Sequence, residues 1–322
     1  MAEFRLHIDR RKVLAGMLAL PVLGGPATSS AFPARPLRCI VPFGADGESS
    51  AAARLQRPAI RQIAGQDMVI DYRPGGGGAV VWDALNRMPA DGHTVVGVNL
   101  PHILLQPLAG ARYRTEDIAV IHIFHHTPHA IAVRENAPFD SLQDLVRAAK
   151  AAPGSIAFTG SGLATANHLA QRRFDQLAGV RTGYIPLEGT TASIAALMAG
   201  EGRAAWTYAT VGAQYSRSIR LLAIATAERH PRFPSVPTFT EFGYPLTDGT
   251  WRGVAVPKAT PEPIRRSLSD LFLAVGRDTA YRIASEEMAM SPLEIGLTDI
   301  PAFVAARNAD YVALAQAAGM IE

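Results

Sequence analysis

Arg38-Cys39-Ile40-Val41-Pro42-Phe43-Gly44-Ala45-Asp46-Gly47-Glu48-Ser49-Ser50, continued by Ala51-Ala52-Ala53-Arg54-Leu55, is the stretch whose reading decides the fold. Leu37 to Val41 is an apolar run too short for a helix and closed by Pro42, which reads as a buried strand. Gly44 and Gly47 give a loop free to adopt positive φ. Ser49 or Ser50 is placed to cap a helix that packs through its alanines and Leu55. A strand, a glycine loop and a helix in this order leave backbone N–H groups unpaired at the carboxyl end of a strand. That is a site for an anion or for ligand oxygens. Nothing in the stretch is arranged for reaction, so it predicts binding.

Working outward, Val69 to Tyr72 reads as a second strand, Gly75 to Gly78 as a turn, about Ala79 to Met88 as a helix, and Thr94 to Asn99 as a third strand. This β-α-β-α-β order predicts a parallel sheet covered on both faces. Ile118 to Phe124 and Ala130 to Val133 read as two extended pieces. Ser141 with Asp144 forms a capping-box pattern before a helix carrying Leu142, Leu145, Val146 and Ala149. A second series follows: strand Ile156 to Phe158, loop Gly160-Ser161-Gly162, helix Thr165 to Leu177, strand Gly183 to Leu187, then a helix from Thr190 or Thr191 to Gly200. Ala204 to Tyr208 and Leu221 to Thr226 extend it. After a proline-rich connection, Pro231 to Pro245, Trp251 to Val256 reads as a strand. Thr260 reads as an N-cap with Pro261 at the first helical position. The helical stripes Ile264, Leu268, Leu271, Phe272, Val275 and Ile300, Phe303, Val304, Tyr311, Leu314 read as core. Two similar α/β halves predict two lobes.

The chain has 322 residues, 48% apolar and 18% charged, which is ordinary globular composition. A net charge of +3 without a basic run interleaved with aromatics argues against nucleic acid. Arg10-Arg11-Lys12, the apolar segment Val13 to Leu23 and the small residues Ser29-Ser30-Ala31 read as a signal peptide cleaved near Ala31, and the arginine pair suggests the twin-arginine route. The apolar segment is well short of the ~20 residues that span a bilayer. Cys39 is the only cysteine, so stability must come from the core rather than an internal disulfide.

Three patterns invite other chemistry. Gly75 to Gly78 lacks the following Lys-Ser or Lys-Thr of a P-loop and the third glycine of a dinucleotide fingerprint, and reads as a tight strand-to-helix turn. His122, His125, His126 and His129 carry no interleaved Cys or carboxylate, so they read as strand-end and loop histidines between lobes, with metal the alternative. Thr159-Gly160-Ser161-Gly162 has Thr159 where a nucleophile elbow needs glycine. Ser161, Thr165 and the free helix N-terminus instead read as hydrogen-bond donors to a ligand. An exported hydrolase is the competing class, without a recognisable nucleophile, base and orienting carboxylate.

Taken in order, Phe32 to Arg38 with Ile40-Val41-Pro42-Phe43, Tyr72-Arg73-Pro74 with Gly75 to Gly78, Ala90-Asp91-Gly92-His93-Thr94, Gly160-Ser161-Gly162 through Thr165 and His168-Leu169, Ile185-Pro186-Leu187-Glu188-Gly189, Phe233 to Thr238 and Gly253 to Pro261 resemble the Bug family. These are the extracytoplasmic solute receptors of tripartite tricarboxylate transporters, and the resemblance covers nearly the whole chain after the signal segment. It implies an α/β, two-lobed periplasmic-binding-protein fold of type II-like form, each lobe a mostly parallel sheet flanked by helices. Residues 32–127 with 250–322 would form one lobe and 128–249 the other. It implies a periplasmic monomer that is not an enzyme, has no cofactor, metal or catalytic residue, and delivers its ligand to membrane permease subunits or, alternatively, to a sensor.

The ligand-binding residues implied fall on several segments: Phe43, Gly44, Gly47, Ser49 and Ser50 in the first loop, with Tyr72 beside it; Ser161, Gly162 and Thr165 in the second loop; and Glu188, Gly189, Trp206, Thr207 and Arg252 further on. The ligand would be a small carboxylate: a dicarboxylate, monocarboxylate or amino acid. The chain departs from the family pattern with Asp46, Glu48, Ser49 and Ser50 in the first loop, Tyr72 for Asn, Glu188 for a frequent Lys, and Arg252 for an aromatic. Loop acids are ordinarily solvated, which would put Asp46, Glu48 and Glu188 at the rim. A second reading brings Arg252 into the cleft to neutralise one acid or grip a ligand carboxylate. It favours an amino acid or monocarboxylate over a tricarboxylate.

Overall fold

The computed structural model describes residues 32–321, so the signal segment and its cleavage lie outside the described residues. β1 (Leu37–Val41), α1 (Glu48–Ala64), β2 (Met68–Tyr72), α2 (Ala79–Ala84), β3 (Thr94–Leu100) and α3 (His102–Leu108) lead into the long strand β4 (Ala119–Arg134). α4 (Leu142–Ala151), β5 (Ala157–Ser161), α5 (Ala166–Ala178), β6 (Gly183–Leu187), α6 (Thr190–Ala199), β7 (Ala204–Tyr208), α7 (Ala209–Gln214) and β8 (Ile219–Ile224) follow. β9 (Gly249–Val256), α8 (Glu262–Arg277), α9 (Thr279–Glu287), β10 (Ser291–Ile295) and α10 (Ile300–Ala317) complete the order.

The strand order is β2-β1-β3-β9-β4-β7-β5-β6, with β8 and β10 also paired to β4. β1 runs parallel to β2 and β3, and β5 runs parallel to β6 and β7. These two parallel units are the β/α series expected from the sequence. Between them the pairing turns antiparallel: β9 against β3 and β4, β7 and β8 against β4. The result is an α/β fold of mixed pairing in which one long strand, β4, is shared by both units.

β4 joins the two extended pieces expected at Ile118 to Phe124 and Ala130 to Val133 into one strand of 16 residues. Pro128, which has no N–H to give, stands where pairing with β9 ends at Pro128↔Gly249 and pairing with β7 begins at His129↔Tyr208. A proline is tolerated where the ladder changes partner. Gly249 fits the crossing because a Cβ there would lie 2.1 Å from the Thr127 carbonyl oxygen.

Of the three apolar clusters among the described residues, two lie on either side of this crossing. Leu37, Val96, Trp82 and Phe272 belong to one, and Phe158, Phe174, Trp206 and Phe239 to the other. Trp206 stacks on Phe239 with centroids 5.5 Å apart. The Ser141–Asp144 capping box forms at α4 as expected. Gly75 to Gly78 all take positive φ in the turn before α2, which no residue with a Cβ adopts cheaply.

Other local expectations need correction. Gly47 has φ −80° and Gly44 is not among the positive-φ residues, so the first loop does not use left-handed glycines. The N-cap of α1 is Gly47, without a side-chain hydrogen bond, and Ser49 and Ser50 lie inside the first turn rather than capping it. At α8 the cap falls on Pro261 and the helix begins at Glu262. The Thr260 N–H is held by the Pro257 carbonyl in the preceding turn, which keeps Thr260 outside the helix.

Candidate functional site

The carboxyl ends of the parallel strands converge on one cleft. Its walls are the β1–α1 loop (Phe43, Gly44, Gly47, Glu48, Ser49), Asn99 ending β3, His102 opening α3, and Ser161 ending β5. Glu188, Gly189, Thr190 and Thr191 at the start of α6, Tyr208 ending β7, and Arg252 on β9 close it. The walls lie close together: space for the centre of a water-sized sphere is about 10 Å³. That is room for about one water.

α1 and α6 point their amino ends into this space. Gly47 and Gly189 are their N-caps, and neither helix end is satisfied by a side chain. A Cβ on Gly47 would stand 3.6 Å from Thr191 Oγ1, and one on Gly189 would stand 3.5 Å from Phe43, so the two loops face each other at contact distance. Free first-turn N–H groups carry partial positive charge, which suits carboxylate oxygens.

Beneath them lies a buried ion pair. Arg252 Nη1 and Nη2 donate to Glu48 Oε1 and Oε2 at 2.9 and 2.6 Å, and Nη1 also donates to Thr127 Oγ1 at 3.3 Å. Nε donates to Ser49 Oγ at 3.4 Å, and the guanidinium carbon lies 4.8 Å from the Tyr208 ring centroid. The side chains are 3% and 1% exposed. A two-pronged pair of this kind is the strong form of a charged hydrogen bond. Burial pushes the Glu48 carboxyl up, while Arg252 and the Thr127 hydroxyl pull it down. The solvated-rim reading therefore fails for Glu48, whose charge is compensated inside. Asp46 and Glu188 are exposed, and Glu188 stands at the cleft rim.

His102 is 1% exposed, and its Nδ1 has no hydrogen-bond partner. Burial, then Arg252 and His129, pull its imidazole down to about 3, so it is neutral at physiological pH. His122, His125, His126 and His129 sit within β4 rather than in a loop. His122 stacks near Phe272 and His129 on Tyr208, while His126 lies tilted against Trp251.

Of the residues singled out in the sequence, Phe43, Gly44, Gly47, Ser49, Ser161, Glu188, Gly189 and Arg252 line the cleft. Ser50 and Tyr72 stand behind it, joined by a 2.7 Å hydrogen bond. Gly162 and Thr165 form the entry to α5: the Thr165 hydroxyl donates to the Gly162 carbonyl at 3.1 Å and accepts the His168 N–H at 3.5 Å. Trp206 lies fully buried in a core, and the Thr207 hydroxyl is buried without a partner. Sequence reasoning passed over Asn99, His102, Thr190, Thr191 and Tyr208. Asn99 and Tyr208 end strands beside the loop, and that position was the signal that could have found them.

Thr165 is an N-cap, so Thr165→Ala is expected to cost about 1 kcal/mol of stability. Thr165→Ser should restore it, as read by chemical denaturation. An alanine variant as stable as the parent would remove the cap from the account.

Comparison with known proteins identifies the family and the fold. Residues 52–320 match the family described as the tripartite tricarboxylate transporter family receptor. Protein BugT of Bordetella pertussis is 30% identical over 266 residues, covering 78% of this chain and 79% of that protein. The structure of R. palustris Rpa4515 with adipate superposes with a TM-score of 0.85 at 26% identity, covering 90% of this chain and 99% of that one. The periplasmic binding protein BugD superposes with a TM-score of 0.84 at 23% identity, over 90% and 99% of the two chains. Among the described residues no helix is long and apolar enough to cross a membrane. The chain therefore belongs to the tripartite tricarboxylate transporter receptors, the TctC or Bug proteins, and is a solute-binding protein rather than an enzyme.

Proposed function

We propose that this receptor captures a small carboxylate-containing metabolite between two lobes and hands it to a permease of the tripartite tricarboxylate type. The observation that carries the reading is the pair of uncapped helix ends, α1 and α6, facing each other across the cleft. Adipate in a relative of the same fold supports the carboxylate class. The ligand would meet the first-turn amides of Glu48 and Ser49 and of Thr190 and Thr191, with Ser161 beside them.

The lobes would comprise residues 32–127 with 250–322, and 128–249. The changeover of β4 from β9 to β7 supports a boundary at Pro128 and Gly249. The space between the walls is too small for a metabolite, so entry requires the lobes to part, as in hinge closure around a ligand. The arginine-led apolar segment ending near Ala31 supports export to the periplasm.

A thermal-shift screen of the purified protein against mono- and dicarboxylates, aromatic acids and amino acids tests the reading. A ligand well above its Kd should stabilise the fold by about 2–4 kcal/mol. Absence of any shift across the screen would reject the carboxylate class. Co-purification from membranes with a permease, rather than with a sensor kinase, tests the delivery step.

A further inference from the structure

We propose that the Glu48–Arg252 pair makes the cleft select a ligand with one carboxylate and an uncharged polar group at its other end, against dicarboxylates. This inference rests on the carboxylate-receptor reading above and assigns the substrate class of that same site.

The charges that line the cleft are few. Glu48 and Arg252 cancel each other, and His102 is neutral. Glu188 at the rim is exposed and makes no ion pair among the described residues. The lining therefore carries one uncompensated negative charge, not a positive one. Arg252 is the only cation on the wall, and four of its five N–H donors are committed to both Glu48 oxygens, Thr127 and Ser49. A ligand carboxylate could grip the guanidinium as a two-pronged pair only by displacing a buried carboxylate from its partner.

The attraction available to an anion is consequently that of the helix ends. Together these amount to about one elementary charge, roughly half from each helix. That offsets one carboxylate and leaves a second to face the uncompensated charge of Glu188. Like charges a few ångströms apart repel by several kcal/mol even at an effective dielectric of about 20. The rest of the wall offers neutral partners instead: the unpartnered Nδ1 of His102, the Asn99 amide and the Thr191 hydroxyl, which is itself without a partner. A buried imidazole nitrogen left unbonded costs free energy, which an amide or hydroxyl on the ligand would recover.

Matched ligand pairs test this by calorimetry: succinate with succinamate, adipate with adipamate, phthalate with phthalamate. In each pair one carboxylate is replaced by a carboxamide of nearly the same shape. The unaltered protein should bind the best monoamide about tenfold or more tightly than its dicarboxylate. Glu48→Gln frees the guanidinium charge and should raise dicarboxylate affinity about tenfold, erasing the preference. Arg252→Gln leaves Glu48 bare and should weaken both members of each pair. Two substitutions that break the same ion pair thus move dicarboxylate affinity in opposite directions, whereas a merely structural role would lower it in both. Circular dichroism and melting curves establish that each variant is folded, and the comparison in the unaltered protein needs no variant. A dicarboxylate that equals or outbinds its monoamide in the unaltered protein, or variants that shift affinity in the same direction, would overturn the inference and leave the receptor reading standing. Failure of every carboxylate to bind would overturn both.

Discussion

Arg252→Met is expected to lower the stability of the protein by about 3–5 kcal/mol, the cost of leaving one member of a buried ion pair without the other. Glu48 would remain as a carboxylate on a residue 2% exposed, with only the Thr127 hydroxyl named beside it. It would have to take up a proton or draw in water. Joining Glu48→Leu to Arg252→Met should recover most of the loss, because a well-packed apolar pair is commonly as stable as the buried ion pair it replaces. Urea denaturation followed by circular dichroism reads both effects. A single variant within about 1 kcal/mol of the parent would mean the pair does not hold the fold. Recovery in the double variant would carry a further consequence. An ion pair that the fold can do without, yet which sits on the wall of the cleft, is better explained by what the cleft binds than by what the core needs.

How legible this was in the sequence depends on the range of the interaction. β1, β6 and α6 were readable to within a residue or two because each is a short apolar run or helix punctuated by glycine or proline. β4 was read as two pieces because Pro128 ordinarily ends a strand; that it stands at a change of ladder partner is a property of β9 and β7, not of its neighbours. α3 was missed because His102 to Gln106 are all buried, so the helix shows no polar face and no period to read. β10 was missed for the opposite reason, since Ser291-Pro292 opens a strand with little apolar character. Glu48 was the least legible of all. Its local context is a loop rich in small and acidic residues, and the partner that buries it lies 204 positions away.

The protein is expected to lose stability steeply as the pH falls from about 6.5 toward 4, owing to histidines held neutral in the interior. Burial lowers His122 to about 4, and His102 and His129 to about 3; burial, then the Arg252 charge, drives His125 well below its usual 6.5. In the unfolded chain each would take up a proton near 6.5. Below that pH the unfolded state therefore binds more protons than the folded one, and stability must fall with pH. The loss continues for His122 until its folded value near 4 is reached, and for His102 and His129 until near 3. At pH 5.5 each of these four histidines contributes a loss of about 1 kcal/mol relative to pH 6.5, roughly 4 kcal/mol together, against a total stability of about 5–15 kcal/mol. Glu48, Asp175 and Asp248 act with the opposite sign, since burial raises their carboxyls and protonation then favours the fold. Their window runs from the raised folded values down to the ordinary carboxylate range, so it overlaps the lower part of the histidine window and offsets part of that loss. His122 isolates the effect. Neither of its ring nitrogens has a hydrogen-bond partner, and it stacks at 6.0 Å on Phe272. His122→Phe should therefore keep or raise stability at pH 7.5 while reducing the proton uptake on unfolding by about one between pH 6 and 5. Urea midpoints measured at pH 7.5, 6.5 and 5.5 for parent and variant give both slopes. Identical slopes would mean that His122 titrates in the folded protein as it does in water.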